Sequence, residues 1–238
     1  MTWIKTGHAL KRLFVFLILL EGSLSLASVE PARPLQIGFI TKEKSNYFDE
    51  QVRPYWNQLQ AESGRSKLEL IPLSATDEKG RLQLADLAER IRQAPTNMKT
   101  FYVHWNQKYD DSHQVWLSAL QEKIQAGARV AFFAGLADEK GRQLPLRQTF
   151  AAQVPKALIL GELVDRERLP AQHFYGPELF SAFKDPATSG QGLSPLTFVS
   201  RWAEYKPNTD LDTTLADLRK KKAKSRRMWP TPEEFFGR

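Results

Sequence analysis

Two alternating periodicities constrain the fold of this chain more than any other feature. Residues 35–40 (LQIGFI) form a continuous apolar run of strand length. Phe48, Val52, Tyr55, Trp56 and Leu59 then recur at helical spacing. Pro54 is tolerable near a first turn or a kink, and Gly64 supplies a stop. The pattern repeats. Residues 67–73 (KLELIPL), 100–105 (TFYVHW), 129–134 (RVAFFA) and 157–163 (ALILGEL) are further strand-like runs. Between them, Leu82, Leu84, Leu87, Ala88 and Ile91 mark one amphipathic helix, and residues 115–126 mark another that closes on Gly127. Strands alternating with helices demand right-handed crossovers. The expected fold class is therefore α/β, a mostly parallel sheet with helices on both faces. Residues 173–183 form a looser stretch. Ser194-Pro195 has the form of a helix start, with serine as cap and proline as first helical residue.

The amino terminus bears on the compartment. Lys5, Lys11 and Arg12 precede LFVFLILL (13–20), which is too short for a stable transmembrane anchor. Ser25-Leu26-Ala27 then gives a small-x-small cleavage pattern. Residues 1–27 are expected to be a signal peptide, so the protein is expected in the periplasm or outside the cell. An uncleaved anchor is the alternative. Cysteine is absent, which removes disulfides, thiol nucleophiles and a lipid-bearing cysteine. Residues 28–206 are long enough for one α/β domain.

The net charge of +7 is unevenly distributed. Arg219, Lys220, Lys221, Lys222, Lys224, Arg226 and Arg227 form a basic run without an intervening acid. Apart from that run and the amino-terminal segment the charges nearly cancel. This argues against a nucleic-acid-binding core. Residues 207–238 are expected to be a flexible basic tail, drawn to an anionic membrane surface or polyanion. Its terminal WPTPEEFF has the form of a short docking motif.

The second half resembles the later part of a subtilase catalytic domain. The correspondence runs through Phe133-Ala134-Gly135-Leu136, Val154-Pro155, Leu158-Ile159-Leu160-Gly161-Glu162 and Phe174-Tyr175-Gly176-Pro177. Ser189-Gly190-Gln191-Gly192-Leu193-Ser194-Pro195 resembles the box that carries the nucleophile. The resemblance covers roughly residues 35–205 and implies a shortened subtilisin-like three-layer architecture. It also implies where catalytic groups should stand, and the expected groups are missing. Thr41 stands where the resemblance implies an aspartate. Lys79 stands near the implied histidine, Leu136 at the oxyanion asparagine, and Gln191 or Gly192 at the nucleophile. A serine protease needs hydroxyl, imidazole, carboxylate and oxyanion donors together.

Other candidates have ordinary readings. His104 suits a core or edge histidine. Asp110, Asp111 and His113 could suggest a metal corner, but loop and capping roles explain them and no metal-ligand spacing supports one. Ser194 suits a helix cap, and a rewired pair with His173 has no spacing argument behind it. No glycine-rich phosphate loop occurs, so no cofactor is expected.

The resulting expectation is a pseudoenzyme. It would bind a peptide or protein along a former cleft at Val103, His104, Trp105, Asn106 and Gly135. A hydrolase with a relocated active site and a structural envelope component remain open as alternatives.

Overall fold

The computed structural model describes residues 34–237, apart from 64–67, 136–142, 165–167, 171–172 and 185–191. The expected signal peptide, Gly64, Leu136 and Gln191 lie outside the described residues.

Six strands form one sheet in which every pairing is parallel. They are β1 (Gln36–Thr41), β2 (Glu69–Ser74), β3 (Met98–Val103), β4 (Arg129–Phe133), β5 (Leu158–Glu162) and β6 (Leu179–Phe183). Their spatial order is β2-β1-β3-β4-β5-β6. The first five coincide with the apolar runs of the sequence. The looser stretch corrects to a strand at its end, where Leu179, Phe180, Ala182 and Phe183 are buried and the backbone pairs with β5. Pro72 lacks an amide proton and sits on the outermost strand, β2, where a missing donor is tolerated.

After β1, a turn at Ser45–Tyr47 and a π-helical turn at Phe48–Val52 lead into α1 (Arg53–Ser63). Helix α2 (Leu84–Gln93) links β2 to β3, and α3 (Gln114–Gln125) links β3 to β4. The β1–β2 connection runs toward one edge of the sheet and the next two run toward the other. Right-handed crossovers therefore place α1 on one face and α2 with α3 on the opposite face. Arg92 of α2 and Glu122 of α3 pair at 3.0 Å across the latter. Helix α4 (Leu196–Glu204) packs on β3.

The carboxyl-terminal segment departs from expectation: its described residues fold back on the domain. Helix α5 (Leu211–Lys224) buries Leu211, Thr214, Leu215 and Leu218, and Asp210 caps it by accepting the Thr213 amide at 2.8 Å. A capping box between Thr231 and Glu234 starts α6 (Pro232–Phe236). Phe235 is fully buried against Phe180 and Phe198, with ring centroids at 5.4 and 5.3 Å. An exposed phenylalanine pair would leave much apolar surface in water, and α4 with β6 offers the cover. No described helix is long and apolar enough to cross a membrane.

Candidate functional site

In a parallel sheet all carboxyl ends lie along one edge, and the direction of connection reverses between β1 and β3. That switch point is where an open α/β sheet leaves a crevice for ligands. Here a column of rings fills it. Tyr47, just after β1, stacks on His104 at 5.6 Å. His104 stacks in turn on Phe133 at 6.0 Å, and Phe133 meets the edge of His173 at 5.7 Å. Burial and the neighbouring carboxylates of Glu43 and Glu162 push the Tyr47 phenol well above its ordinary pKa.

The next layer is a buried polar lock. Glu162 ends β5, an otherwise apolar strand, and is enclosed. Its carboxylate accepts the Ser194 hydroxyl at 2.7 Å and the Gly192 amide at 2.9 Å. Tyr102, one residue before the end of β3, donates its hydroxyl to the Gly192 carbonyl at 2.7 Å. Gly192 has φ +70, and a Cβ there would lie 2.7 Å from the Phe133 ring. Three strands thus hold the turn that starts α4. The side-chain cap expected of Ser194 is not how α4 begins: Pro195 stands at the cap without a side-chain cap bond, and the serine hydroxyl turns inward to Glu162.

His173 is buried beside this lock. Its Nε2 accepts the Glu162 amide proton at 3.4 Å, and its Nδ1 donates to the Phe174 carbonyl at 2.9 Å. Burial lowers its pKa below the usual imidazole value, with the Phe174 contact opposing. His113 is similarly occupied. Gln107 donates to its Nε2 at 2.6 Å, and its Nδ1 lies 3.1 Å from Asp110. Asp110 also accepts the Ser112 amide at 2.9 Å, closing the turn Asp111–His113. Neither imidazole presents a free acceptor nitrogen to a hydroxyl. Among the described residues no group of three metal-ligating side chains converges.

The other candidates take definite places. Thr41 is buried at the end of β1, and its hydroxyl accepts the Glu43 amide at 3.1 Å. Lys79 lies apart in an exposed turn beyond the outer strand β2, where its amide donates to Asp77. The structure therefore gathers Thr41, His104 and Gly192 along the carboxyl edge and leaves Lys79 outside the lock.

The residues of the possible former cleft are enclosed. Val103, His104, Trp105, Asn106 and Gly135 are all buried. Trp105 stacks on Trp116 at 5.0 Å, and the Asn106 amide group donates to Ala134 and Thr149, both at 3.0 Å. These side chains serve packing and loop closure. An open groove of about 890 Å³ lies elsewhere, along α4, with walls that include Leu59, Leu163, Phe183, Arg201, Trp229 and Glu233.

Glu162, Tyr47 and Tyr102 were not singled out from the sequence. The available signal was the lone acid in ALILGEL, since a charge in a buried strand needs a partner.

No protein-family model matches the sequence, and no curated protein matches it by sequence. Solved structures do match its fold. The self-cleaved protease domain of PatA aligns with TM-score 0.58 and 12% identity, over 85% of this chain and 95% of that one. A cold-adapted subtilisin-like serine proteinase aligns with TM-score 0.55 and 11% identity, over 82% and 86% of the two chains. The prenylagaramide maturation protease PagA aligns with TM-score 0.53 and 11% identity, over 85% and 92%. The shared feature is the three-layer subtilisin-like architecture.

Proposed function

We propose that this chain is an exported, non-catalytic protein of subtilisin-like fold that binds a peptide or protein partner. Export rests on the amino-terminal sequence pattern. The non-catalytic reading rests on one observation: the Ser194 hydroxyl is buried and committed to Glu162 at 2.7 Å, while the neighbouring His173 already accepts a main-chain proton. Acyl transfer needs a hydroxyl open to substrate and a base nitrogen able to take its proton. Fold and chemistry are separable, so the scaffold can lose one and keep a binding role. The groove along α4 offers apolar walls with charges of both signs, which suits an extended peptide.

The test pairs two measurements on the purified protein. Casein hydrolysis and labelling by a fluorophosphonate probe should both be absent. A library of fluorescent peptides should contain binders that Ser200→Arg, at the groove wall, displaces. Specific labelling defeats the non-catalytic reading, and a library without binders defeats the peptide-binding one.

The Ser194–Glu162 contact also favours a second reading, a hydrolase in which the carboxylate activates the serine. It requires turnover that Ser194→Ala abolishes while the fold persists.

A further inference from the structure

The cationic run of α5 divides into two sets. Lys221 and Lys222 face the domain. Lys221 Nζ donates to the Phe235 carbonyl and the Tyr205 hydroxyl, both at 2.6 Å. Lys222 Nζ donates to the Leu179 carbonyl at 3.3 Å and lies 5.3 Å from the Phe180 ring centroid. These two ammonium groups fasten the carboxyl-terminal segment.

The other five cations, Arg219, Lys220, Lys224, Arg226 and Arg227, are exposed. None of them makes an ion pair with a described residue. Helical spacing sets Lys220 and Lys224 opposite the face that buries Leu211, Leu215 and Leu218, with Arg219 on its flank. No acid occurs between Asp217 and Glu233 in the chain. Glu234 approaches this stretch through Ser225, at 3.3 Å, without pairing with any of the five cations. Beside these cations Met228 is 69% exposed, the most exposed large apolar side chain described.

We propose that this patch docks the protein on an anionic phospholipid surface. Five exposed cations that form no ion pair with a described residue attract any polyanion. The projecting methionine selects among them, because an apolar chain amid cations gains only where hydrocarbon lies just beyond the anionic layer. Arg227 and Met228 also border the groove along α4, but the proposal does not rest on the peptide-binding reading: vesicle sedimentation tests the one and the peptide library the other.

The test is co-sedimentation of the full chain with phosphatidylcholine vesicles, with and without phosphatidylglycerol. The apolar amino-terminal run is identical in every variant, so differences between variants isolate the patch. Wild type should partition onto the anionic vesicles, less so as salt rises. The triple variant R219Q/K220Q/K224Q should lose about a hundredfold in partitioning, on the scale of roughly fivefold per cation. Met228→Ser should lose about threefold to tenfold on the same vesicles. These side chains are exposed and glutamine is a good helix former, so circular dichroism should be unchanged. Undiminished binding by the triple variant, or equal binding to neutral vesicles, overturns the proposal. Heparin binding at least as tight as vesicle binding, with Met228→Ser without effect on either, overturns it in favour of a polyanion.

Discussion

Glu162 at the end of β5 receives the hydroxyl of Ser194, 32 residues later in the chain, at 2.7 Å. The same carboxylate receives the Gly192 amide, so a single buried acid ties the turn before α4 to the middle of the sheet. Low polarity around the pair strengthens these bonds and raises the cost of breaking either.

Removing the acid should therefore do more harm than removing the serine. Glu162→Leu leaves two buried donors without an acceptor and should cost about 2–5 kcal/mol, whereas Ser194→Ala should cost about 1–3 kcal/mol. A double-mutant cycle by urea denaturation should show a coupling of about 1–3 kcal/mol between them. Additive effects would mean the contact contributes nothing in solution.

Gly192 should resist substitution. Gly192→Ala forces a Cβ onto the Phe133 ring at a positive φ. The combined conformational and overpacking cost should be about 2–4 kcal/mol. Thermal unfolding checks this, and a wild-type midpoint would contradict the geometry.

Arg129 is a buried cation that donates to carbonyl groups only: those of Trp202, Ala203, Tyr205 and Lys206 at the end of α4. Burial lowers its pKa, yet the helix end still favours a positive charge there. Arg129→Met should cost about 2–4 kcal/mol by stripping those carbonyls of donors. Hydrogen exchange should quicken at the end of α4 before it does in β4.

Stability should also depend on pH through His173. Its folded pKa lies below its ordinary value of 6.5. In the window between the two values the unfolded chain binds more protons than the folded one, so stability falls as pH drops through that window and is fully present above it. Urea midpoints measured from pH 7.5 downward should show the decline, and His173→Gln should flatten it. A variant with the same slope as wild type would assign the titration to another group.

Phe235→Ala tests whether the carboxyl-terminal segment is part of the fold. The side chain is fully buried, so truncation should cost about 3–5 kcal/mol and expose the segment to protease. Unchanged stability would return that segment to the status of a loose tail.

The sequence by itself determined the layers. Apolar runs such as RVAFFA and ALILGEL can be satisfied only inside a covered parallel sheet, and the spacing of Leu84, Leu87, Ala88 and Ile91 can be satisfied only as a helix against it. It also determined that no carboxylate ends β1, because Thr41 is there. Periodicity reports how one element meets a core, but not which elements meet. The tertiary structure alone brought Glu162 to Ser194 and stacked Tyr47, His104 and Phe133 into the crevice that an open sheet would leave empty. It turned LFSAF into a sixth strand because β5 had a free edge to pair. It also divided one run of lysines and arginines into two that fasten α5 and five that face water. The direction of each crossover and the register between strands fix those contacts, and both arise only when the whole chain packs.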